Sequence, residues 1–184
     1  MLCLNLESTD PAFNLAADEY FLKTSSDDFL IFGINNKSVI IGKHQVAHRE
    51  ADTEFVTENK IPVLRRISGG GTVFHDEGNL NFSFIMNSER GKQVVFRKYT
   101  GPVISFLLSL GIDASFEGRN DLRIYGLKIS GNAEHVYRNR VLHHGTLLFN
   151  ADLELLRGSI RRDYGKYTTR AVASNPSSVV NLAR

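Results

Sequence analysis

The fold of this chain is decided by RRISGGGTVFHD, residues 65–76, and by EGNLNFSF, which follows at residues 77–84. Three consecutive glycines, Gly69 to Gly71, stand inside this stretch, and glycine within a fold costs roughly 0.5–1 kcal/mol per residue relative to alanine. Such a run is expected where the backbone must approach another group closely. With arginine, serine and histidine beside it, the run predicts a loop that meets a small anionic ligand, a phosphate or a carboxylate.

The residues after the glycines predict a strand and exclude two common nucleotide-binding loops. Asn79 to Met86 alternates between polar and apolar side chains, which is the pattern of a half-buried strand with one polar face. No Gly-Lys-Ser/Thr sequence follows the glycines, so the stretch is not a Walker phosphate loop. The spacing of the glycines is also wrong for the Rossmann pattern.

The periodicity of the remaining chain predicts an α+β protein in which mixed or antiparallel sheets are flanked by helices. Phe29 to Ile34 and Ser38 to Ile41 are predicted to pair as a hairpin across Asn35 and Asn36. Predicted helices cover residues 11–23, 49–59, 93–110 and 152–157. Further predicted strands cover residues 2–6, 62–66, 114–117, 122–125, 127–130, 133–137 and 141–149.

Two of the predicted helices are expected to bury an apolar stripe. In the first helix the expected buried side chains are Phe13, Ala17, Tyr20 and Phe21. In the helix at residues 93–110 they are Val94, Val95, Tyr99, Val103, Phe106, Leu107 and Leu110.

Composition excludes several classes of function. The 184 residues carry 22 Lys and Arg against 20 Asp and Glu, and this net charge of +2 does not favour nucleic-acid binding by bulk electrostatics. The single cysteine, Cys3, excludes an intrachain disulfide and a cysteine-based zinc cluster. No apolar run approaches the roughly 20 residues that a membrane span needs. Without a recognisable signal segment, a cytoplasmic location is the expectation.

Three further stretches follow the glycine loop in order, GRNDL at residues 118–122, GLKISGNA at 126–133 and HHGTLL at 143–148. Together with residues 65–84 they resemble the biotin and lipoate protein ligase superfamily, and within it the lipoate–protein ligase A family. The resemblance also takes in Asn14-Leu15-Ala16, Val172-Ala173-Ser174 and the segment from Val179 to Leu182, and so covers nearly the whole chain.

This resemblance implies a single catalytic domain of that superfamily over residues 1–184, without the small C-terminal accessory domain that many members carry. It implies that ATP and Mg²⁺ activate lipoate to lipoyl-AMP. The lipoyl group then passes to a lysine of a carrier protein, either a lipoyl domain of a 2-oxoacid dehydrogenase complex or the glycine-cleavage carrier protein. A separate accessory chain is a possible further partner, whereas nucleic acid and membrane are not expected.

The resemblance also implies the residues of the site. Lys128 is the expected catalytic residue, because its ammonium would lie on the lipoyl carbonyl and the α-phosphate; the alternative is an exposed strand lysine. Asp121 is expected either to hold Mg²⁺ or to order Lys128. Expected to bind lipoate or the adenylate are Arg66, Ser68, Gly69, Gly70, Gly71, His75, Asn79, Lys128, Gly131 and Ala133. Expected on the nucleotide side are Asn120, Asp121, His144 and Thr146.

Two alternatives to a complete ligase remain open. An octanoyl or lipoyl transferase would carry the acyl group on a cysteine, but Cys3 is the only one and lies far from the motifs in the sequence. A chain that ends at Arg184 could instead bind lipoyl-adenylate and need an accessory domain or partner chain to make it. We expect such a chain to form lipoyl-AMP slowly or not at all, yet to transfer lipoate from supplied lipoyl-AMP.

Overall fold

The computed structural model of the chain describes residues 1–88, 95–160 and 170–183. In chain order the elements are β1 (Leu2–Asn5), α1 (Pro11–Thr24), β2 (Phe29–Ile34), β3 (Ser38–Ile41), α2 (Ala47–Glu50), α3 (Thr53–Glu58), β4 (Val63–Arg65), β5 (Val73–His75), β6 (Asn79–Asn87), α4 (Phe96–Ser109), β7 (Ser115–Glu117), β8 (Asp121–Ile124), β9 (Leu127–Tyr137), β10 (Arg140–Leu148) and α5 (Leu153–Ser159). None of the helices in these residues is long and apolar enough to cross a bilayer.

The strands form two sheets. The large sheet has seven strands in the order β1-β2-β6-β10-β9-β8-β7, and all its neighbours are antiparallel except β1 and β2. The small sheet has the order β4-β3-β5, with a parallel pair and an antiparallel pair. The predicted α+β class with mixed and antiparallel sheets flanked by helices is therefore confirmed.

Each face of the large sheet packs against a helix. Phe82 and Val141 belong to a core on the α4 side, together with Tyr99 and Leu107 of that helix. On the other face Ile85 packs with Leu22 of α1 and with its neighbours on β2 and β10. The alternation of side chains along β6 thus separates two cores, as period-two patterning requires.

The strand that the polar and apolar alternation predicted at Asn79 to Met86 is present as β6, but three other predictions are wrong. The predicted hairpin is absent, because β2 joins the large sheet and β3 the small one. The predicted helix at residues 49–59 is split into α2 and α3, because Asp52 caps α3 by accepting a hydrogen bond from Phe55 N. The two strands predicted at 127–130 and 133–137 are one strand, β9.

The buried faces of the helices also differ from prediction. In α1, Phe13 and Tyr20 are exposed, and the buried positions are Pro11, Asn14, Asp18 and Leu22. Helix α4 buries Tyr99 and Leu107 as expected, but Phe106 is exposed, as are Val95 and Leu110, which cap the two ends of the helix. Val94 lies outside the described residues. Core packing therefore does not explain why Asn14 and Asp18 lie on the buried face of α1.

Candidate active site

A cavity of about 310 Å³ lies between the two sheets. Its floor crosses the large sheet through Gly33, Asn81 and Thr146, which stand opposite one another on β2, β6 and β10. Gly131 on β9 continues this row, since its N–H donates to Thr146 Oγ1 at 3.3 Å. Residues opposite one another share a face of the sheet, so the row forms one continuous surface.

The small sheet forms the roof of the cavity. Ile40, Val73 and His75 face inward, whereas Val39 and Phe74, which alternate with them, pack in a separate core. One end of the cavity is closed by α1, and the other is lined by residues 174–177 of the C-terminal segment. The cavity wall therefore combines residues of both sheets, α1 and the C-terminal segment.

Arg66 organises the glycine loop from inside. Its guanidinium donates to Gly69 O and Gly71 O, both at 2.7 Å, to Ile40 O at 3.1 Å and to Ser68 Oγ at 3.0 Å. Burial lowers the pKa of Arg66 to about 10, so the side chain remains a cation at neutral pH. These hydrogen bonds place the charge of Arg66 under the loop, although the side chain also lines the cavity.

Ser174 fastens the C-terminal segment to the glycine loop. Its Oγ accepts hydrogen bonds from Thr72 N at 2.8 Å and from Gln45 Nε2 at 3.0 Å. It donates in turn to the buried carboxylate of Glu50. The loop and the segment that lines the end of the cavity are thus held as one unit.

Lys128 lies at the end of the cavity lined by the C-terminal segment, in an ion pair. Its Nζ is 2.8 Å from Asp121 Oδ1, and Arg123 Nη2 is 2.8 Å from Asp121 Oδ2. A Cβ added at Gly131 would lie 3.1 Å from Lys128 Nζ, so the glycine leaves room for the ammonium. The backbone of Lys128 bonds to Ser178 O and Val180 N. Lys128 is therefore positioned by the sheet, by the C-terminal segment and by a carboxylate.

Asp121 is paired through both of its carboxylate oxygens. Each oxygen faces a cation, which fits the expected ordering of Lys128, and the expected role of Asp121 as a ligand of Mg²⁺ stays a prediction. Within residues 1–88, 95–160 and 170–183, no three His, Cys, Asp or Glu side chains are grouped closely enough to hold a metal ion.

A second hydrogen-bonded series links Arg66 to the interior through Ser68 and His144. Because Arg66 Nε donates to Ser68 Oγ, the hydroxyl is free to donate to His144 Nε2, 2.6 Å away. His144 Nδ1 then carries the proton and lies 3.7 Å from Asp18 Oδ2. Asp18 Oδ2 also accepts from Ser83 Oγ at 2.9 Å.

Burial disfavours the charged forms of Asp18 and His144 in this series. It raises the pKa of Asp18 to about 7, against a smaller opposing effect of the Ser83 hydrogen bond. Burial, assisted by the charge of Arg66, holds the pKa of His144 well below its usual range. The order Ser-His-Asp is that of serine hydrolases, but Ser68 is fully buried and accepts from Arg66, so it is not placed as a nucleophile.

The cavity brings most of the sequence-predicted residues together. On its wall are Arg66, Gly71, His75, Asn120, Asp121, Lys128, Gly131, Ala133, His144 and Thr146. Ser68, Gly69 and Gly70 form the loop behind this wall and contact Arg66 or His144. Asn79 is buried beyond the cavity and donates to Asn81 Oδ1 at 2.9 Å, so Asn81 lines the wall in its place.

Sequence reasoning missed the contribution of α1 and of the turn after β2. Asn14 and Asp18 lie one helical turn apart on the buried face of α1 and reach the cavity wall. Asn35 contacts both Asn14 and His75. The spacing of Asn14, Asp18 and Leu22 was the available signal, since a polar pair in line with a buried leucine is unusual on a core-facing helix.

Comparison with known proteins gives one consistent family. The description "Lipoyl protein ligase A/B catalytic domain" matches residues 10–184. Lipoate–protein ligase 1 of Staphylococcus aureus is 40% identical over 180 residues, which are 97% of this chain and 55% of that protein. Lipoate–protein ligase LplJ of Bacillus subtilis is 41% identical over 181 residues, 97% of this chain and 55% of that protein. The chain thus spans about half the length of these curated relatives.

Solved structures agree with the sequence comparison. A bipartite lipoate–protein ligase from Thermoplasma acidophilum, studied with its E2 lipoyl domain, has a TM-score of 0.81 and 32% identity. That match covers 90% of this chain and 68% of the solved one. A lipoate–protein ligase A bound with ATP has a TM-score of 0.82 and 31% identity over 87% of this chain and 71% of that one.

Proposed function

The chain belongs to the lipoyl protein ligase A/B catalytic-domain family, and from this premise we propose that it activates lipoate with ATP and transfers the lipoyl group to a lysine of a carrier protein. The proposed carriers are lipoyl domains of 2-oxoacid dehydrogenase complexes and the glycine-cleavage carrier protein. The proposed location is the cytoplasm, where ATP is available. A separate accessory chain is compatible with this proposal.

The observation that carries this proposal is the position of Lys128 between two cavities. A second cavity of about 480 Å³ shares Lys128, Gly131, Thr146 and Ser174 with the first. A reaction that joins two substrates needs both reacting groups at one point, with room for each substrate on its own side. In the proposal lipoate occupies the first cavity, the nucleotide extends into the second, and the two react beside Lys128.

The chemistry assigned to Lys128 is stabilisation of negative charge. A carboxylate oxygen of lipoate attacks the α-phosphorus of ATP, and the bond to pyrophosphate breaks. The Lys128 ammonium lies close to the α-phosphate oxygens and offsets the charge that builds there. In the second step the neutral amine of the carrier lysine attacks the lipoyl carbonyl carbon, AMP leaves with the bonding electrons, and the nitrogen loses a proton to solvent. Asp121, which is itself paired with Arg123, holds the ammonium in position for both steps.

The closed end of the first cavity suits the acyl chain. Leu6, Leu15, Ile31 and Phe32 line it, and burial raises the pKa of Asp18 beside them to about 7, which disfavours the charged form of that side chain. The acyl chain is uncharged, so its burial in such a pocket does not require a charged group to be desolvated. Lipoate would therefore bind with its carboxylate toward Lys128 and its ring toward α1.

An octanoyl or lipoyl transferase remains the second candidate function within the family. It would require Cys3 as the acyl carrier, since no other cysteine is present. Cys3 is exposed on β1, an edge strand of the large sheet, and is not on the wall of the first cavity. Cys3→Ser therefore separates the two functions.

The experiment follows modification of an isolated lipoyl domain by intact-protein mass spectrometry. We expect rapid modification when lipoyl-AMP is supplied, slower modification from lipoate and ATP, and unchanged rates in Cys3→Ser. Failure to modify the domain from lipoyl-AMP would contradict the proposal. Loss of transfer in Cys3→Ser would favour the thioester transferase instead.

A further inference from the structure

Three side chains form a continuous series from the backbone around α1 to the cavity wall. Asn14 Nδ2 lies 2.7 Å from Asn35 Oδ1, and Asn35 Nδ2 lies 2.9 Å from His75 Nδ1. These residues come from α1, from the turn after β2 and from β5. The series ends at His75, which lines the first cavity.

The direction of the first hydrogen bond is fixed by backbone carbonyls. Asn14 Nδ2 also faces Ser8 O at 2.9 Å and Ile34 O at 3.3 Å. A carbonyl oxygen can only accept a hydrogen bond, so the group of Asn14 that faces these two oxygens must be its NH₂. The amide of Asn14 therefore has one allowed orientation.

This orientation sets the two residues that follow. The atom of Asn35 that faces the NH₂ of Asn14 must be its oxygen, so the NH₂ of Asn35 faces His75 Nδ1. Nδ1 must then accept a hydrogen bond, and a neutral ring with an unprotonated Nδ1 carries its proton on Nε2. A proton on Nδ1 would point at the hydrogens of Asn35.

The surroundings of His75 keep the ring neutral and leave its donor unused. Burial, with a smaller contribution from the charge of Arg66, lowers the pKa of His75 to about 3. Among the described residues, His75 Nε2 is a buried polar atom without a hydrogen-bond partner. A buried donor without a partner is costly, which points to an acceptor supplied by a ligand.

We infer that Asn14 and Asn35 are positioning residues that hold His75 as the Nε2–H tautomer, so that Nε2–H donates to an oxygen of the ligand in the cavity. The identity of that oxygen rests on the proposed function, in which the acyl half of the ligand offers only the oxygens of the lipoyl carboxyl group. The tautomer itself follows from the hydrogen-bond series and requires no ligand.

The test is nitrogen NMR of the imidazole rings in protein with ¹⁵N-labelled histidine, with His75 assigned by its absence in His75→Gln. In the wild-type chain we expect a protonated Nε2, an unprotonated Nδ1 and no titration of His75 between pH 5 and about 8. A protonated Nδ1, or titration in this range, would overturn the inference. Once His75 is assigned, this wild-type spectrum decides the question without any further variant.

Asn35→Asp sharpens the test because a carboxylate oxygen then faces Nδ1 and requires a proton there. We expect the Nδ1 resonance to move to that of a protonated nitrogen. The matched control is Asn36→Asp, which adds the same charge at the next, exposed residue and should leave the His75 spectrum unchanged. An unaltered His75 spectrum in Asn35→Asp would contradict the positioning role.

The ligand is tested separately with a non-hydrolysable lipoyl-adenylate analogue. We expect the Nε2–H signal of His75 to shift on binding, and the affinity to fall on the order of tenfold in Asn35→Asp but not in Asn36→Asp. If the analogue binds and the Nε2–H signal does not move, the donor role is wrong. If the analogue does not bind at all, the proposed function fails while the tautomer stands.

Discussion

Two groups of ionisable side chains line the same cavity and behave in opposite ways. In the charged end, defined by Asp121, Arg123 and Lys128, the side chains are 15–25% exposed and form ion pairs at 2.8 Å. In the neutral end, defined by Asp18, His75 and His144, burial raises the pKa of the acid and lowers the pKa values of the two imidazoles.

The difference between the ends arises from solvent and from partners. The three groups of the charged end are partly exposed and paired with opposite charges, whereas burial disfavours every charge in the neutral end. A cavity of this kind suits a ligand with an anionic head and an uncharged tail. The contrast can be tested by removing the charge at one end, by disturbing the loop that lies between the ends, or by removing the acid at the other end.

The largest effect is expected from Lys128→Ala. Loss of the ammonium removes the cation that faces the developing charge, and we expect transfer from lipoyl-AMP to slow by roughly 10²–10³-fold. The melting temperature should change little, because the ion pair is partly solvated. Lys37→Ala, at an exposed position between β2 and β3, is the matched control and should keep full activity. A Lys128→Ala chain with normal transfer would exclude this residue from the reaction.

Asp121→Asn should have a smaller effect because the ammonium remains and only its positioning weakens. We expect kcat to fall on the order of tenfold while KM for lipoyl-AMP changes little. The concentration of Mg²⁺ that gives half-maximal adenylation should not change, since Asp121 is occupied by Lys128 and Arg123. A large rise in the Mg²⁺ requirement would instead identify Asp121 as a metal ligand.

Gly42→Ala tests the glycine loop between the two ends. An added Cβ would lie 2.2 Å from Gly70 O, so the loop must shift, and we expect a loss of about 1–3 kcal/mol in the free energy of unfolding. At Gly69 an added Cβ meets no atom of the described residues within 4 Å. Gly69→Ala is therefore the control, with an expected change within about 0.5 kcal/mol in denaturant titration. Equal effects of the two substitutions would contradict the packing described for the loop.

The smallest effect is expected from Asp18→Asn, as a change in the pH dependence of stability. Between pH 3.8 and about 7 the folded chain retains a proton on Asp18 that the unfolded chain releases, so wild-type stability falls as pH rises through this window. Asp18→Asn does not lose stability in this way, so it should be more stable than wild type at pH 8 and about as stable as wild type at pH 4.

His75 and His144 oppose this trend, because their lowered pKa values make stability fall as pH drops below 6.5. Both histidines are present in wild type and in Asp18→Asn, so the difference between the two curves isolates Asp18. Parallel melting curves across pH 4–8 would show that Asp18 is not held neutral.

Much of the charged end could be predicted from the sequence, because its residues lie in short continuous motifs. GRNDL and GLKISGNA place Asp121 and Lys128 on adjacent strands, seven residues apart in the chain. The alternation of residues 79–86 likewise specified a strand with one polar face, and β6 is that strand. In these regions the sequence pattern and the structure that it predicts both involve residues that are close together in the chain.

The neutral end could not be predicted in the same way, because its contacts join distant parts of the chain. Asn35 and His75 are 40 positions apart, and Ser68 and His144 are 76 apart. Local patterning assigned the buried face of α1 to Phe13 and Tyr20, but the cavity requires Asn14 and Asp18 on that face. The turn at Asn35 predicted a hairpin for the same reason, since local sequence does not specify that β2 and β3 enter different sheets.

The most direct test of a single cavity with a charged and a neutral end is calorimetric titration with lipoate, AMP and a non-hydrolysable lipoyl-adenylate analogue. We predict that the analogue binds one to one and at least about 100-fold more tightly than lipoate or AMP alone, because linking the two halves avoids a second loss of translational freedom. Excess lipoate should compete with it. Simultaneous binding of lipoate and the analogue, or equal affinity for the analogue and its halves, would contradict the account.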